Sequence, residues 1–382
     1  MKGKLMQISE ARKYYPYLKS GRIYMNHAAI SPLSTPIVKE LDDYLYIRSE
    51  TEIENYLEFQ KVVIDTKNKL GEMINAKPDR LAFVDNTSNG LNILAQGLDL
   101  GTGDRIILND IEFPSNIYPF LNLKTQGVEI DIIKSHDGIV SYEDIEAAVT
   151  GKTKLISISH VQFLSGYRAD VEKIGEMCRS KGIVFCVDAI QSAGALEIDV
   201  EKMKIDFLAS GTQKWMMGLQ GLAFIFITQE LQERVKPKYV GWTSVVDAWN
   251  LLDFNLTLRS SAERFQNGTV SAIGIAALHG SLNFMRQFGH DKIAQAILDN
   301  TEYFMNSLSE SGIQPVLRGV ERKYLSGIVS FRSEKAQEIF GRLLEMNITA
   351  AVREGIVRFS PHFYNTREEI DKVVSILKEI TR

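Results

Sequence analysis

Seven short apolar runs, separated by segments of helical period, constrain this 382-residue chain more than any other feature. They are Arg80–Val84, Arg105–Leu108, Glu129–Ile133, Lys154–Ile158, Ile183–Val187, Ile205–Ala209 and Gly221–Ile227. Runs that are apolar at consecutive rather than alternate positions suit strands buried on both faces. The stretches between them read as helices, among them about Ser88 to Gly97 and Ile117 to Thr125. The best marked is Val171–Lys181, where Asp170 is placed to cap the N-terminus and Gly182 to end the helix in a left-handed conformation. This alternation predicts an α/β fold with a mostly parallel seven-stranded sheet covered on both sides.

After about Phe265 the pattern changes. Two long helical stretches, about Ala272 to Phe288 and Asp291 to Ser311, precede a strand-helix-strand-strand-helix tail. The tail, with Gly327–Phe331 and Gly355–Phe359 as strands, reads as a smaller α+β domain. A chain this long exceeds one small core. The expected division is an N-terminal segment (1–25) against the small domain, a large domain (26–264) and the small domain (265–382). The stretch from about Leu231 to Glu263, rich in Trp, Asp and Asn, reads as irregular loop.

Charge and cysteine usage narrow the function. A formal net charge of −4 without any lysine- or arginine-rich block argues against general nucleic-acid binding. Cys178 and Cys186 fall in a predicted helix and a predicted buried strand, so neither a disulfide framework nor a metal site is expected. Met1–Gln7 has no apolar signal region, and no run of 18 apolar residues occurs. The expectation is a soluble cytoplasmic protein with no membrane contact.

The polar residues that end the apolar runs carry the chemistry, because open α/β sheets bind ligands at the carboxyl ends of their strands. Asp188 ends one run, and Lys214 lies beyond the next, in Ala209-Ser210-Gly211-Thr212-Gln213-Lys214-Trp215. A carboxylate and a lysine so placed are what pyridoxal 5′-phosphate requires. The lysine holds the aldehyde as a Schiff base, and the carboxylate keeps the pyridine nitrogen protonated. Burial among apolar neighbours lowers a lysine pKa in the direction this needs. Asn86-Thr87-Ser88-Asn89-Gly90 offers a helix N-terminus and hydroxyls for a phosphate, although an ordinary helix cap has the same composition. Phe113, in Glu112-Phe113-Pro114, is an aromatic ring at the same edge that can stack on a heterocycle. Arg358 interrupts the apolar strand Gly355–Phe359, which suits bidentate capture of a carboxylate or a structural ion pair; Arg353 competes for the same role.

Together these segments resemble the class V aminotransferase family of fold-type I pyridoxal-phosphate enzymes, which includes cysteine desulfurases, kynureninases and isopenicillin N epimerase-like proteins. The likeness runs from Tyr24-Met25-Asn26-His27-Ala28-Ala29 to Arg358-Phe359-Ser360-Pro361-His362-Phe363-Tyr364 and on to Asp371. It implies that Lys214 is the Schiff-base lysine, that Asp188 pairs with the ring nitrogen and that Gln191 approaches the phenolic oxygen. It further implies that Thr87 and Ser88 cradle the phosphate, with Gln213 and one of Ser210 or Thr212 beside them. Phe113 becomes the ring partner, and Arg358 the residue for the substrate carboxylate. Thr269, in Gln266-Asn267-Gly268-Thr269, would reach the phosphate of a second subunit, which implies a homodimer.

Departures from the pattern bear on the reaction. Gln213 stands where desulfurases usually have histidine, and Asn347–Val357 holds no cysteine where they carry a nucleophilic one. Cys186, inside a strand, is no substitute, so persulfide chemistry is not expected. The expected activity is transamination of an α-amino acid, with Lys214 moving the Cα proton. Epimerisation or C–S or C–C cleavage within the same family, and a non-catalytic protein on the same fold, are the alternatives. The first two need a further acid, for which only Asn26 and His27 are candidates, and His27 equally suits a structural, hydrogen-bonded role.

Overall fold

In a computed structural model that describes residues 5–380, a short strand β1 (Ile23–Tyr24) precedes helices α1 (Thr35–Tyr46) and α2 (Tyr56–Ile74). Then come β2 (Leu81–Val84), α3 (Thr87–Gly97), β3 (Arg105–Asn109), α4 (Tyr118–Leu121), β4 (Glu129–Ile133) and α5 (Tyr142–Ala148). β5 (Thr153–Ser159), α6 (Val171–Lys181), β6 (Val184–Asp188), β7 (Phe207–Gly211), β8 (Ala223–Ile227) and α7 (Gln229–Arg234) follow. The seven strands β2 to β8 form one sheet in the order β2-β8-β7-β6-β5-β3-β4. Only β8 runs against its neighbours, pairing antiparallel with both β2 and β7. The other six strands therefore end at the same edge of the sheet.

The interior strands are mostly apolar because both faces are covered, while the edge strand β4 carries Glu129 and Asp131 and buries only Ile133. Phe83, Ile107, Ile156, Phe185, Leu208 and Phe224 pack into one core, and Ala82, Ile106, Leu155, Val184, Phe207 and Ile225 into another. The second core needs α3 close to the sheet. A Cβ at Gly90 would lie 2.8 Å from the Ile225 side chain. Asp170 and Gly182 cap α6 as the sequence implies, the first through the Lys173 N–H and the second at φ 67°.

Two predicted elements differ. The helix expected near Ile117–Thr125 is one turn, α4, flanked by 3₁₀ turns at Pro114–Asn116 and Asn122–Gln126. Pro119 sits in its first turn, and Gly127 at φ 82° stops it. The stretch read as loop from Leu231 begins inside α7, which Thr228 caps through the Leu231 N–H.

Helices α8 (Ala272–Arg286) and α9 (His290–Glu310) lead into β9 (Val329–Arg332), α10 (Ala336–Glu345), β10 (Ile348–Thr349), β11 (Ala351–Arg353), β12 (Ile356–Phe359) and α11 (Arg367–Ile380). β11, β12 and β9 form an antiparallel sheet. β1 pairs in parallel with β10, and Asn26 bridges to Ser360, which brings the N-terminal segment to the end of β12. Glu354 and Gly355, at φ 48° and 72°, close the β11–β12 hairpin in two residues.

Candidate active site

Five of the six strand ends at one edge bring together residues singled out above and two more, Ser159 and His160. Thr87 follows β2, Glu112 and Phe113 follow β3, and Ser159 and His160 end or follow β5. Asp188 and Gln191 come from β6, and Lys214 from the loop after β7. Met217 N–H donates to the Lys214 carbonyl, and the Ser31 hydroxyl donates to the same oxygen at 2.5 Å. Trp215, fully buried, anchors the loop; Gly327 makes room for it, since a Cβ there would come within 2.2 Å of its ring.

Asp188 is buried and takes one hydrogen bond, from the Ile190 N–H at 2.9 Å. Burial raises its pKa, the Ile190 N–H opposes this, the Glu112 charge adds to it and the Lys214 charge offsets part. Lys214 shows the opposite displacement. Burial lowers its pKa, Asp188 pulls it back up, and repulsion from Arg358 and Arg353 lowers it further. The two groups thus lie within electrostatic reach of each other. The Lys214 amine sits 5.8 Å from the centre of the Phe113 ring and makes no hydrogen bond or ion pair among the described residues. Phe113 in turn meets Phe163 edge to face, with centroids 5.3 Å apart.

Arg358 is buried without a carboxylate partner among the described residues. Its Nη1 donates to the Phe163 carbonyl at 2.6 Å and its Nε has no partner. Burial and the nearby Arg353 bring its pKa down to about 10. Arg353 itself is exposed on β11. Six more buried side-chain atoms lack partners among the described residues: Thr87 Oγ1 at the start of α3, Asn26 Oδ1 and Gln162 Oε1, and also Ser34 Oγ, Arg80 Nε and Asn116 Nδ2. A buried polar atom without a partner is uncommon in a folded protein and marks a place where another molecule can bind.

Other predicted residues are committed elsewhere. His27 is completely buried; Nδ1 meets the Ser360 carbonyl at 2.8 Å and Nε2 the Tyr364 hydroxyl. Both ring nitrogens are therefore taken, which leaves none for a substrate. Thr212 donates its hydroxyl to the Leu219 and Leu222 carbonyls, so its one proton is used inside the lysine loop. Ser210 donates to the Gly211 carbonyl, and Ser88 to the Ser115 hydroxyl. Gln191 bridges the Ala28 carbonyl and the Trp215 indole, leaving one amide N–H to give. Gln213 is half-buried and makes no side-chain hydrogen bond, while its carbonyl accepts from Ser31. Thr269 is exposed and lines a hollow of about 540 Å³ with Tyr56, Trp242 and Trp249, apart from Lys214.

Sequence reasoning did not assign a role to Glu112, Ser159, Gln162 or Phe163. Their signal was polarity at a strand end, where Ser159 and His160 close an otherwise apolar run. Glu112 Oε1 accepts from Asn109, the Ser159 N–H and Gln162 at 2.7, 2.7 and 3.0 Å.

A parallel-rich sheet whose edge couples a buried aspartate to a lysine of lowered pKa defines a fold-type I pyridoxal-phosphate enzyme. Residues 23–373 match the aminotransferase class-V family, and the chain belongs to that family, whose enzymes depend on pyridoxal phosphate. It is 30% identical over 363 residues to an uncharacterized aminotransferase of Bacillus subtilis, covering 94% of each chain. It is also 30% identical over 412 residues to a probable cysteine desulfurase of Pyrococcus abyssi, covering 99% of this chain and 98% of that one. Among solved structures it resembles a cysteine desulfurase from Thermococcus onnurineus, with a TM-score of 0.89 at 25% identity over 98% of each chain.

Proposed function

We propose that this enzyme transfers the amino group of an α-amino acid, with Lys214 and Asp188 as its catalytic residues. The observation that carries the reading is a Lys214 amine with no hydrogen bond among the described residues, 5.8 Å from the centre of the Phe113 ring and at the same sheet edge as the buried Asp188. The opposed pKa displacements of the lysine and the aspartate support it. The residues suit pyridoxal phosphate. Thr87, with an orphaned hydroxyl at the first turn of α3, and Ser88 beside it would hold the phosphate. Asp188 would face the ring nitrogen, Phe113 the ring, and Gln191, through its spare N–H, the phenolic oxygen. When bound, the cofactor supplies an aldehyde for a covalent link to an amine and a conjugated ring that accepts an electron pair.

The chain's own residues do the rest. Arg358 grips the α-carboxylate with the donors its Phe163 tether leaves free. Lys214, neutral at a lower pH than an ordinary lysine, takes the proton from the substrate Cα on its own side and holds it for return on that same side. Transamination needs no second acid, which fits a cleft where both nitrogens of His27 are occupied. That occupation also counts against epimerisation and against lyase chemistry led by His27. Desulfuration is disfavoured although relatives bear that name. The two cysteines are buried with raised thiol pKa values, and the hairpin before Arg358 has a two-residue turn.

We also infer a homodimer in which Thr269 serves the partner's site. Trp249, Leu251, Leu252 and Phe254 are 63, 63, 88 and 93% exposed on the irregular segment near Thr269, an apolar surface that a second copy would cover. Among the described residues no helix is long and apolar enough to cross a membrane. We place the enzyme in the cytoplasm, in keeping with its free cysteines.

The test is an amino-acid panel offered to the cofactor-loaded enzyme without a keto acid. Stoichiometric conversion of the cofactor to pyridoxamine phosphate is expected. Catalytic release of ammonia or sulfide would defeat the assignment.

A further inference from the structure

We propose that Glu112 is a positioning residue that acts through Gln162 and Phe163 to set the orientation in which Arg358 meets the substrate. The inference rests on the reading of Arg358 as the carboxylate-binding residue.

Glu112 is 6% exposed and has no cationic partner among the described ion pairs. A carboxylate so placed is costly unless its oxygens are occupied. They are: Oε1 accepts from Asn109, from the Ser159 N–H and from Gln162, and Oε2 from the Ser159 hydroxyl. One side chain therefore ties together the end of β3, the end of β5 and the loop beyond it. The tie also fixes the direction of an amide. Because Gln162 must turn its Nε2 toward a carboxylate, its Oε1 points away, without a protein partner.

The next residue transmits the constraint. The Phe163 carbonyl accepts the one side-chain hydrogen bond that Arg358 makes among the described residues, at 2.6 Å from Nη1. The Phe163 ring packs edge to face on Phe113, the chain neighbour of Glu112. A planar guanidinium with one tether takes its orientation from that acceptor, and a fork of donors meets a carboxylate well only within a narrow range of angles. Loosening Gln162 moves the acceptor, and the fork turns with it. The path from Gln162 through the Phe163 carbonyl to Arg358 makes no hydrogen bond to Lys214, so loosening it at Gln162 weakens substrate binding before proton transfer. The Glu112 charge also acts on Asp188.

The experiment compares Glu112→Gln and Gln162→Met with the wild-type holoenzyme; the second variant removes one hydrogen bond and leaves the buried carboxylate in place. Hydrogen–deuterium exchange across residues 160–168, measured without any amino acid, is expected to quicken about tenfold in both. KM for the amino acid is expected to rise about tenfold in both, and in Gln162→Met, which keeps the Glu112 charge that acts on Asp188, kcat is expected to stay within about twofold. In an Arg358→Leu background the same changes should add nothing further to KM, because the relay ends there. Unchanged exchange overturns the strut, and additive losses in the Arg358→Leu background overturn the relay. If Glu112→Gln fails to fold, Gln162→Met decides alone. An Arg358→Leu enzyme with wild-type KM overturns the carboxylate reading, and the relay falls with it whatever the exchange shows.

Discussion

Around His27 the protein itself satisfies the buried polar groups, with Asn26 Oδ1 as the exception. The ring spans Ser360 and Tyr364, His362 meets the Trp215 carbonyl at 3.1 Å, and the Trp215 indole donates to Gln191 at 3.0 Å. Around Lys214, a few residues along the same loop, the opposite holds. The amine makes no hydrogen bond among the described residues, and Thr87, Gln162 and Arg358 each leave a buried atom without a partner. Both clusters are buried, and both were candidates for chemistry. On the function proposed above, the contrast separates a structural polar core, which closes on itself, from a binding site, which keeps groups in reserve at a cost in stability. It also predicts different consequences of mutation on the two sides.

The largest effect belongs to the lysine. Lys214→Ala should lower turnover by about 10³-fold or more with no loss of melting temperature, since no hydrogen bond of the amine is lost. Borohydride treatment followed by peptide mass analysis should find the cofactor on Lys214 in the wild type only. An adduct of equal yield on the variant would remove the lysine from the mechanism. Arg358→Leu comes next, with KM raised about 10- to 100-fold, the loss of a charge-assisted hydrogen bond. If kcat falls instead and KM holds, the guanidinium acts on the transition state and not on ground-state binding.

On the satisfied side the signature reverses. His27→Ala should cost about 2–4 kcal/mol of stability, from a cavity and two lost hydrogen bonds, while kcat/KM of the folded fraction stays within about threefold. Activity lost without a change in melting would return His27 to the substrate. The buried histidines also set an acid limit. Burial lowers the pKa of His27 well below the usual value, that of His160 to about 3 and that of His362 to about 4. The unfolded chain therefore binds more protons than the native one below about pH 6.5, so stability is present above that pH and falls as pH drops toward 4. Melting temperatures across this range check the sign; a rise on acidification would contradict it. His279 works the other way. Its ring N–H groups donate to the Glu40 and Asp65 carboxylates, which raises its pKa, so its contribution is lost as pH rises.

The comparison also shows what a sequence discloses. The sheet was legible because double-sided burial leaves unbroken apolar runs, and Lys214 and Asp188 because polar residues ending such runs are conspicuous. Helices α1 and α2 were not read. Leu45, Leu57 and Ile64 are 50, 78 and 58% exposed on them, which blurs the apolar stripe by which a surface helix is recognised. The split between the His27 and Lys214 clusters was not legible either. Whether His27 is reserved for a ligand depends on partners hundreds of residues away, Ser360 and Tyr364. Glu112 escaped for the same reason, since Ser159 and Gln162 reach it only once β3 and β5 are neighbours.

The smallest expected effect tests the open side of the cleft. Phe113 is 44% exposed and touches the protein at its edge through Phe163, so no core depends on it. Its face lies toward the Lys214 amine, and a ring stacked there adds attraction beyond simple burial. Phe113→Leu removes that attraction and keeps most of the apolar area. Cofactor affinity, followed by the growth of visible absorbance on titrating the apoenzyme, should weaken about 3- to 10-fold, with melting of the apoenzyme unchanged. A variant that melts earlier yet binds the cofactor as tightly as the wild type would move Phe113 out of the cleft and into the structural class, beside His27.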